Sequence, residues 1–396
     1  MMDNYDAIVV GAGPAGLRAA TKLAAGGASV LCVDKKQEIG VPVRCGEGLG
    51  LGWFKRLGMQ PDHAWAVQEI FGAAIISPAG KKIEMRGPTP SGYILERRIF
   101  EKRLAYIAAK EGAKVQAKTH VKKVERKGGH VEVTARFIGE EQKYSAPVIV
   151  AADGVDSLIS KQMGLQTVMK LVDYDSGFQY EMAGIDFDDP DLISLYFGNE
   201  VAPRGYCWIF PKGKHEANVG IGIDGYRKEL AKDYLDNWIA KHDGLKNGSI
   251  INVFCGGIPV GGFLPNMAKD NLLAVGDAAH QVDPIHGGGI GLAMEAADMV
   301  SEVVLEAIEK KDFSEKFLSK YNKLWYEKRG NSLLKRLKGR HFMEKLSDED
   351  MEYLAGMLSG DEILSVANGD IKIAAKLAVK LVKRPDLVKK MIATLN

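Results

Sequence analysis

Residues 6–16 read Asp6-Ala-Ile-Val-Val-Gly-Ala-Gly-Pro-Ala-Gly16. The apolar run Ala7 to Val10 has the length and composition of a buried parallel strand. Gly11, Gly13 and Gly16 then hold the G-x-G-x-x-G spacing. Gly11 permits a tight turn, Gly13 lets backbone approach a pyrophosphate, and Gly16 lets the following helix pack closely on the strand. A helix starting there offers unpaired N–H groups and the positive end of its dipole to phosphates. A second apolar strand, Ser29 to Val33, ends in Asp34, about twenty residues on, where an acidic side chain accepts from a ribose hydroxyl. The expectation is a Rossmann-like dinucleotide site.

The chain has 396 residues, enough for two or more lobes. An apolar share of 46% and a charged share of 26% are those of a soluble globular protein. A net charge of +2 leaves no positive field for nucleic acid. Cys32, Cys45, Cys207 and Cys255 show no C-x-x-C pairing, which fits a reducing compartment and predicts no structural metal. No apolar run is long enough to span a bilayer, and the acidic start does not read as a signal peptide. The expected location is the cytoplasm, with the option of resting on a membrane without crossing it.

Further along, Lys35 to Gly52 is a glycine-rich loop containing Val43-Arg-Cys-Gly-Glu-Gly48. Residues 69–86 read as strands, and Arg97 to Glu111 as an amphipathic helix with Phe100, Leu104, Ile107 and Ala108 on one face. Lys114 to Arg136 alternates as paired strands do, and Tyr144 to Val150 reads as one further strand running into Asp153-Gly-Val-Asp-Ser157. Residues 166–260 are strand-rich, with a helix near Lys228 to Lys241. Asn271 to Val275 returns to the buried-strand pattern and ends in Gly276-Asp277, ahead of a helix from about 288 to 309. The class is therefore α/β (α+β). A nucleotide domain from 1–65, 95–160 and 265–310 surrounds an antiparallel-sheet substrate lobe from 66–94 and 166–264, and 311–396 is helical.

Gly11-x-Gly13-x-x-Gly16, Asp153-Gly154 and Gly276-Asp277 occur in the order of the flavoprotein hydroxylase-like FAD fold, which the chain resembles over most of its length. Within that fold it is similar to the geranylgeranyl reductase family. This likeness rests on Val43-Arg-Cys-Gly-Glu-Gly48 and on Tyr206-Cys-Trp-Ile-Phe-Pro-Lys-Gly213, which matches Y-x-W-x-F-P-x-G. The resemblance implies FAD as cofactor, with Gly11, Gly13, Ala15, Gly16 and Asp153 at its diphosphate, Asp34 at the adenosine ribose and Asp277 at the ribityl chain. Arg97 and Val121 match further cofactor positions, and Cys45, Gly46, Gly48, Gly289 and Ile290 fall against the isoalloxazine. The glycines Gly287 to Gly291 open a helix whose positive end would face a reduced ring. Tyr206, Trp208, Phe210 and Pro211 would line the substrate cavity, with Ile209 in the same water-excluding wall.

The implied reaction is reduction of isolated prenyl C=C bonds on a glycerol ether phospholipid, as in archaeal-type membrane lipid synthesis. An unactivated alkene has no carbonyl to polarise, so it needs a dry apolar tunnel and a proton source. Cys45 is the residue expected to control the flavin or supply that proton; His280 and His286 lie near the loop without being assigned a role. NADPH, a ferredoxin and a deazaflavin are all compatible electron donors. Residues 371–390 place Lys372, Lys376, Lys380 and Lys383 on one stripe beside Ala374, Leu377, Ala378 and Leu381, the pattern of a helix lying on anionic lipid. Lys335 to Arg340 adds a second basic cluster, suited to a headgroup phosphate or to solvent. Two other functions fit the same fold. An aromatic hydroxylase usually carries G-Q-G where this chain has Gly289-Ile290-Gly291, and a prenyl-lipid carrier need not keep the FAD positions.

Overall fold

In a computed structural model, residues 2–367, 380–381 and 384–395 are described. Six strands form the nucleotide sheet in the order Ala268–Lys269, Leu272–Ala274, Ile149–Ala151, Ala7–Val10, Val30–Val33 and Lys114–Gln116. The inner strands run parallel and every residue of Ala7–Val10 and Val30–Val33 is buried, as continuous apolar strands between covering helices must be.

The helix Pro14–Ala25 starts with proline at its first position, where a missing N–H costs nothing. Its buried face is Ala15, Gly16, Leu17, Ala19, Ala20, Leu23 and Ala24, mostly small, so it sits close to the helix Ile290–Lys310. Leu17 and Leu23 are fully buried, each a stabilisation of about 2 kcal/mol. Arg18 joins the two helices through both oxygens of Asp298, at 2.6 and 2.9 Å. The helix Arg97–Lys110 covers the same core with Phe100, Leu104 and Ala108, while Ile107 is only half-buried.

The second lobe is a seven-stranded sheet in the order Ser249–Pro259, Tyr174–Ala183, Glu216–Asp224, Tyr206–Pro211, Leu192–Tyr196, Gly72–Ile76 and Lys82–Arg86. Pairing is antiparallel except between Leu192–Tyr196 and Gly72–Ile76. The helix Ala231–Ala240 packs Leu235 and Trp238 on its back. The stretch 66–94 is divided. Gly72–Ile76 and Lys82–Arg86 join the large sheet, whereas Ala66–Ile70 and Gly92–Leu95 pair with Gly48–Gly50 in a separate three-stranded sheet. That small sheet carries the end of the Cys45 loop and fixes it to the nucleotide domain.

Two expectations need correction, and a third falls mostly outside the described residues. Tyr144 to Val150 is not one strand. Glu140–Ala146 belongs to a four-stranded sheet with Asp3–Asn4, Thr119–Lys127 and His130–Phe137, and Ile149–Ala151 lies in the nucleotide sheet. Pro147, with no N–H for a ladder, stands at the change of sheet. The basic cluster at Lys335 to Arg340 is not a solvent-facing patch throughout. Arg336 pairs with Asp283 at 2.5 Å, and Arg340 with Asp175 at 2.8 Å and Glu344 at 2.7 Å, both arginines being buried. Of the stripe in 371–390, Lys372, Ala374, Lys376, Leu377, Ala378 and Lys383 lie outside the described residues. Lys380 pairs with Glu362 at 2.5 Å and Leu381 is buried in a small C-terminal core. Among the described residues no helix is long and apolar enough to cross a membrane.

Candidate active site

The glycine turn is held by backbone on both sides. Gly11 has φ +107°, and a Cβ there would stand 2.1 Å from the Ala152 carbonyl oxygen. A Cβ on Gly16 would stand 1.8 Å from the Gly11 oxygen, whereas Gly13 faces open space. That space lies at the start of the helix Pro14–Ala25, whose first turn has no side-chain cap and leaves its N–H groups for an anion. Asp34 is buried and braces the turn, accepting from the N–H groups of Ala12 and Lys36 at 2.8 Å each. A carboxylate has about four lone-pair sites, so acceptors remain for ribose hydroxyls. The strand that carries Val121 begins where the Thr119 N–H donates to the Asp34 carbonyl at 2.8 Å, and Val121 itself sits at a bulge.

Three distant segments close on this turn. Asp153, next to Ala152, accepts from the Ile159 N–H at 2.9 Å, while its Oδ1 is buried without a partner. Burial pushes its carboxyl up to about 6. Gly276 has φ +69° and leaves only 3.1 Å between its missing Cβ and Ala15. Gly289, the residue before the helix starting at Ile290, leaves 3.4 Å to the Asp277 Oδ1. Burial pushes Asp277 above the usual carboxylate range, and the Arg97 guanidinium opposes that shift. Arg97 pairs with the buried Glu101, and its Nε is buried without a partner. These residues fit FAD: an open phosphate cradle, a ribose acceptor, and buried polar atoms with capacity to spare.

The Cys45 loop lies against the aromatic strand of the sheet lobe. A Cβ on Gly46 would reach the Phe210 ring at 2.9 Å, and one on Gly48 at 3.4 Å. Gln179 donates to the Cys45 carbonyl at 3.1 Å and accepts from the Trp208 indole at 2.8 Å. Tyr206, Trp208 and Phe210 share one face, with ring centres 5.8 and 6.1 Å apart, and Gly220 makes room for Trp208. Ile209 is not part of that wall. Strand alternation puts Cys207, Ile209 and Pro211 on the other face, and Cys207 and Ile209 pack in the core beneath the helix Ala231–Ala240. The Cys45 sulfur accepts from the Glu47 N–H at 3.2 Å. Burial pushes its thiol up, opposed by Arg97, so the group at neutral pH is S–H.

Residues 173–258 match the family model described as the geranylgeranyl reductase catalytic domain, and residues 4–210 match an FAD binding domain. A protein named digeranylgeranylglycerophospholipid reductase from Methanocaldococcus jannaschii is 41% identical over 390 residues, covering 98% of this chain and 97% of the relative. The chain belongs to the geranylgeranyl reductase family. It is an FAD-dependent reductase. A relative of the same name from Methanosarcina acetivorans is 41% identical, covering 90% of this chain and 89% of that one. The crystal structure of a geranylgeranyl bacteriochlorophyll reductase-like protein from Thermoplasma acidophilum superposes with TM-score 0.90 at 35% identity, with both chains fully covered. A flavin-dependent brominase, at 19% identity and TM-score 0.71, shares the fold.

Sequence reasoning missed a buried polar cluster beside the Cys45 loop. Glu47 is 1% exposed and takes hydrogen bonds from the Arg97 N–H and the Asn218 amide, each at 2.7 Å. Lys212 reaches Glu47 at 3.3 Å and Glu96 and Glu181 at 2.7 Å each. Burial works against the Lys212 charge, but these carboxylates outweigh it and hold the ammonium above its ordinary range. Glu47 and Lys212 lie inside the two family stretches; the signal available was an acid and a base in otherwise apolar, glycine-rich segments. His280 is buried and burial lowers it to about 4, so it stays neutral. His286 has a half-exposed ring, and its carbonyl accepts from the Tyr206 hydroxyl at 2.7 Å.

Proposed function

We propose that this reductase saturates isolated C=C bonds in the geranylgeranyl chains of a digeranylgeranyl glycerophospholipid, with Cys45 as the proton source. The observation that carries the reading is the meeting of Phe210 and Trp208, whose ring face continues into Tyr206, with the Gly46–Gly48 backbone beside a protonated Cys45. The relatives named above, which carry that lipid in their names, support the substrate class.

Gly11, Gly13, Ala15 and Gly16 hold the FAD diphosphate, with Asp34 at the ribose and Asp277 at the ribityl chain. Gly289, Ile290, Arg97, Asp153 and Val121 complete the cofactor's surround. Reduced FAD bound there would supply a hydride equivalent. Cys45 gives its S–H proton to one alkene carbon, and positive charge develops on the other, which is the carbon the hydride equivalent would reach to complete the saturated bond. The aromatic face excludes water from that carbon pair, because water would capture the developing cation. Gln179 holds the loop in place through the Cys45 carbonyl, so the thiol points consistently at one site.

The electrons come from NADPH, a ferredoxin or a deazaflavin. The lipid arrives from an anionic membrane surface on which the protein rests from the cytoplasmic side. Val168, Leu171 and Val172, exposed beside Lys170, are suited to that contact. The test is anaerobic incubation of dithionite-reduced protein with the digeranylgeranyl lipid, followed by mass spectrometry. A ladder gaining two hydrogens per step is expected. An unchanged lipid beside flavin that stays reduced would discard the substrate.

A further inference from the structure

Cys45 gives up one proton per double bond, and a lipid with several double bonds needs that proton returned each time. The sulfur itself is half-buried and sits in a loop packed against protein. The return path must therefore be built from neighbouring groups.

We propose that Glu47 is the acid that returns the proton to Cys45, drawing it from solvent through the cavity at Lys212. The proposal rests on the reading of Cys45 as the proton source. Glu47 is two residues from Cys45, and its own N–H donates to the sulfur. It adopts φ +73°, a left-handed conformation that a non-glycine residue holds only when its surroundings impose it, and such strain clusters at functional positions. One carboxylate oxygen takes the Arg97 N–H, and the other takes Asn218 and Lys212. The carboxylate is thus held in one place from three directions.

The surrounding charges favour a stored proton. Glu47, Glu96 and Glu181 surround the single ammonium of Lys212, whose side chain is 6% exposed. Fully ionised, the cluster carries a net charge of two negatives in a poorly solvated place, and binding one proton relieves that repulsion. The other charges facing it are the Arg97 guanidinium, taken up by Glu101, and Arg98, paired with Glu38 at 2.9 Å near the surface. Burial raises Glu47 above the ordinary carboxylate range, with Lys212 and Asn218 pulling the other way. A cavity of about 370 Å³ touches Glu47, Glu96, Glu181 and Lys212 and extends to Glu38 and Arg98. At roughly 30 Å³ per water, it has room for a hydrogen-bonded chain to the surface.

The transfer balances without moving electrons. The S–H bond of Cys45 breaks as the new C–H bond forms. The thiolate then takes the proton of the Glu47 carboxylic acid, an O–H bond giving way to an S–H bond. The Glu47 carboxylate is refilled by a proton from water in the cavity.

The test uses FAD-loaded protein and two readouts. The first is the rate of Cys45 alkylation by iodoacetamide against pH, followed on its own peptide by mass spectrometry. At pH values where the cluster has released its stored proton, Glu47→Gln removes a neighbouring negative charge and should raise the thiolate fraction about tenfold. Glu47→Asp should restore most of the original profile. The second is multiple turnover on the digeranylgeranyl lipid with dithionite in excess. Glu47→Gln should slow it about a hundredfold, the scale of a lost general acid, and added formate should restore a large part of it. An unmoved thiol profile, or turnover that formate does not rescue, would overturn the proposal. If Glu47→Gln fails to hold FAD, Glu96→Gln at the edge of the same cavity should shift both readouts in the same direction by less. A wild-type protein inert on the lipid, with the thiol profile still shifted by Glu47→Gln, would remove the substrate and leave the Cys45–Glu47 coupling standing.

Discussion

The glycine turn at residues 11–16 and the glycine loop at residues 46–48 both bare their backbone, but they are enclosed differently. Gly11 and Gly16 are walled by backbone atoms, the Ala152 and Gly11 oxygens. Gly46 and Gly48 are walled by a side chain, the edge of the Phe210 ring. Backbone in a buried sheet cannot give way without breaking its ladder, whereas a ring can rotate or shift by tenths of an ångström. The turn at residues 11–16 is therefore fixed by its backbone, and the loop at residues 46–48 by side-chain packing; under the proposed function these are the phosphate end and the reacting end.

The sharpest way to break this comparison is to add one methyl group at each place. Gly11→Ala forces a Cβ into the Ala152 carbonyl and holds alanine at φ +107°, so it should cost at least about 3 kcal/mol and abolish FAD retention. Gly46→Ala meets only the far edge of Phe210 and should cost about 1 kcal/mol while keeping the yellow colour. Thermal unfolding and the flavin absorbance of the purified variants check both. Equal losses at the two positions would show that the Cys45 loop is as rigid as the phosphate turn.

The same contrast explains what could be read from the sequence. The nucleotide strands, the glycine turn, Asp34 and the helix after Gly289 depend on short-range spacing, and the helices predicted from 288 and 228 begin at Ile290 and Ala231. The aromatic face of Tyr206, Trp208 and Phe210 was legible through its period of two, but the same alternation turns Ile209 away. Reading Tyr144 to Val150 as one strand overlooked that Pro147 breaks a ladder even within an apolar run. Arg336 and Arg340 look like surface charge until Asp283 and Asp175, far away in sequence, are brought beside them. Glu47, Gln179, Lys212 and Asn218 were hidden for the same reason. Their burial is decided by partners more than a hundred residues distant, which no local pattern encodes.

A second test concerns the side-chain wall alone. Trp208→Phe keeps an aromatic ring but leaves the Oε1 of the buried Gln179 without its indole donor. Leaving such an acceptor bare should cost about 2 kcal/mol, and the Cys45 loop should loosen because Gln179 also holds its carbonyl. Combining Trp208→Phe with Gln179→Leu should cost clearly less than the sum of the two single changes, since the orphaned oxygen is then gone. Denaturant midpoints of the four proteins give the coupling. Strict additivity would mean that this hydrogen bond does not support the loop.

The smallest effect separates the two ends by pH. Asp153 stands beside the backbone-walled turn with its carboxyl raised by burial from 3.8 to about 6. The folded protein therefore holds this proton at pH values where the unfolded chain has already released it. Its contribution to stability is fully present below about pH 4 and is lost as the pH rises through about 6. Between pH 5 and 6.5 the loss should amount to about 1 kcal/mol in the FAD-free protein. Asp153→Asn keeps an oxygen for the Ile159 N–H and has no proton to release, so its stability should stay flatter across that interval. Urea midpoints of both proteins at the two pH values decide it. If wild type and variant fall in parallel, the burial around Asp153 does not store a proton, and the titration belongs to the side-chain cluster around Glu47 instead.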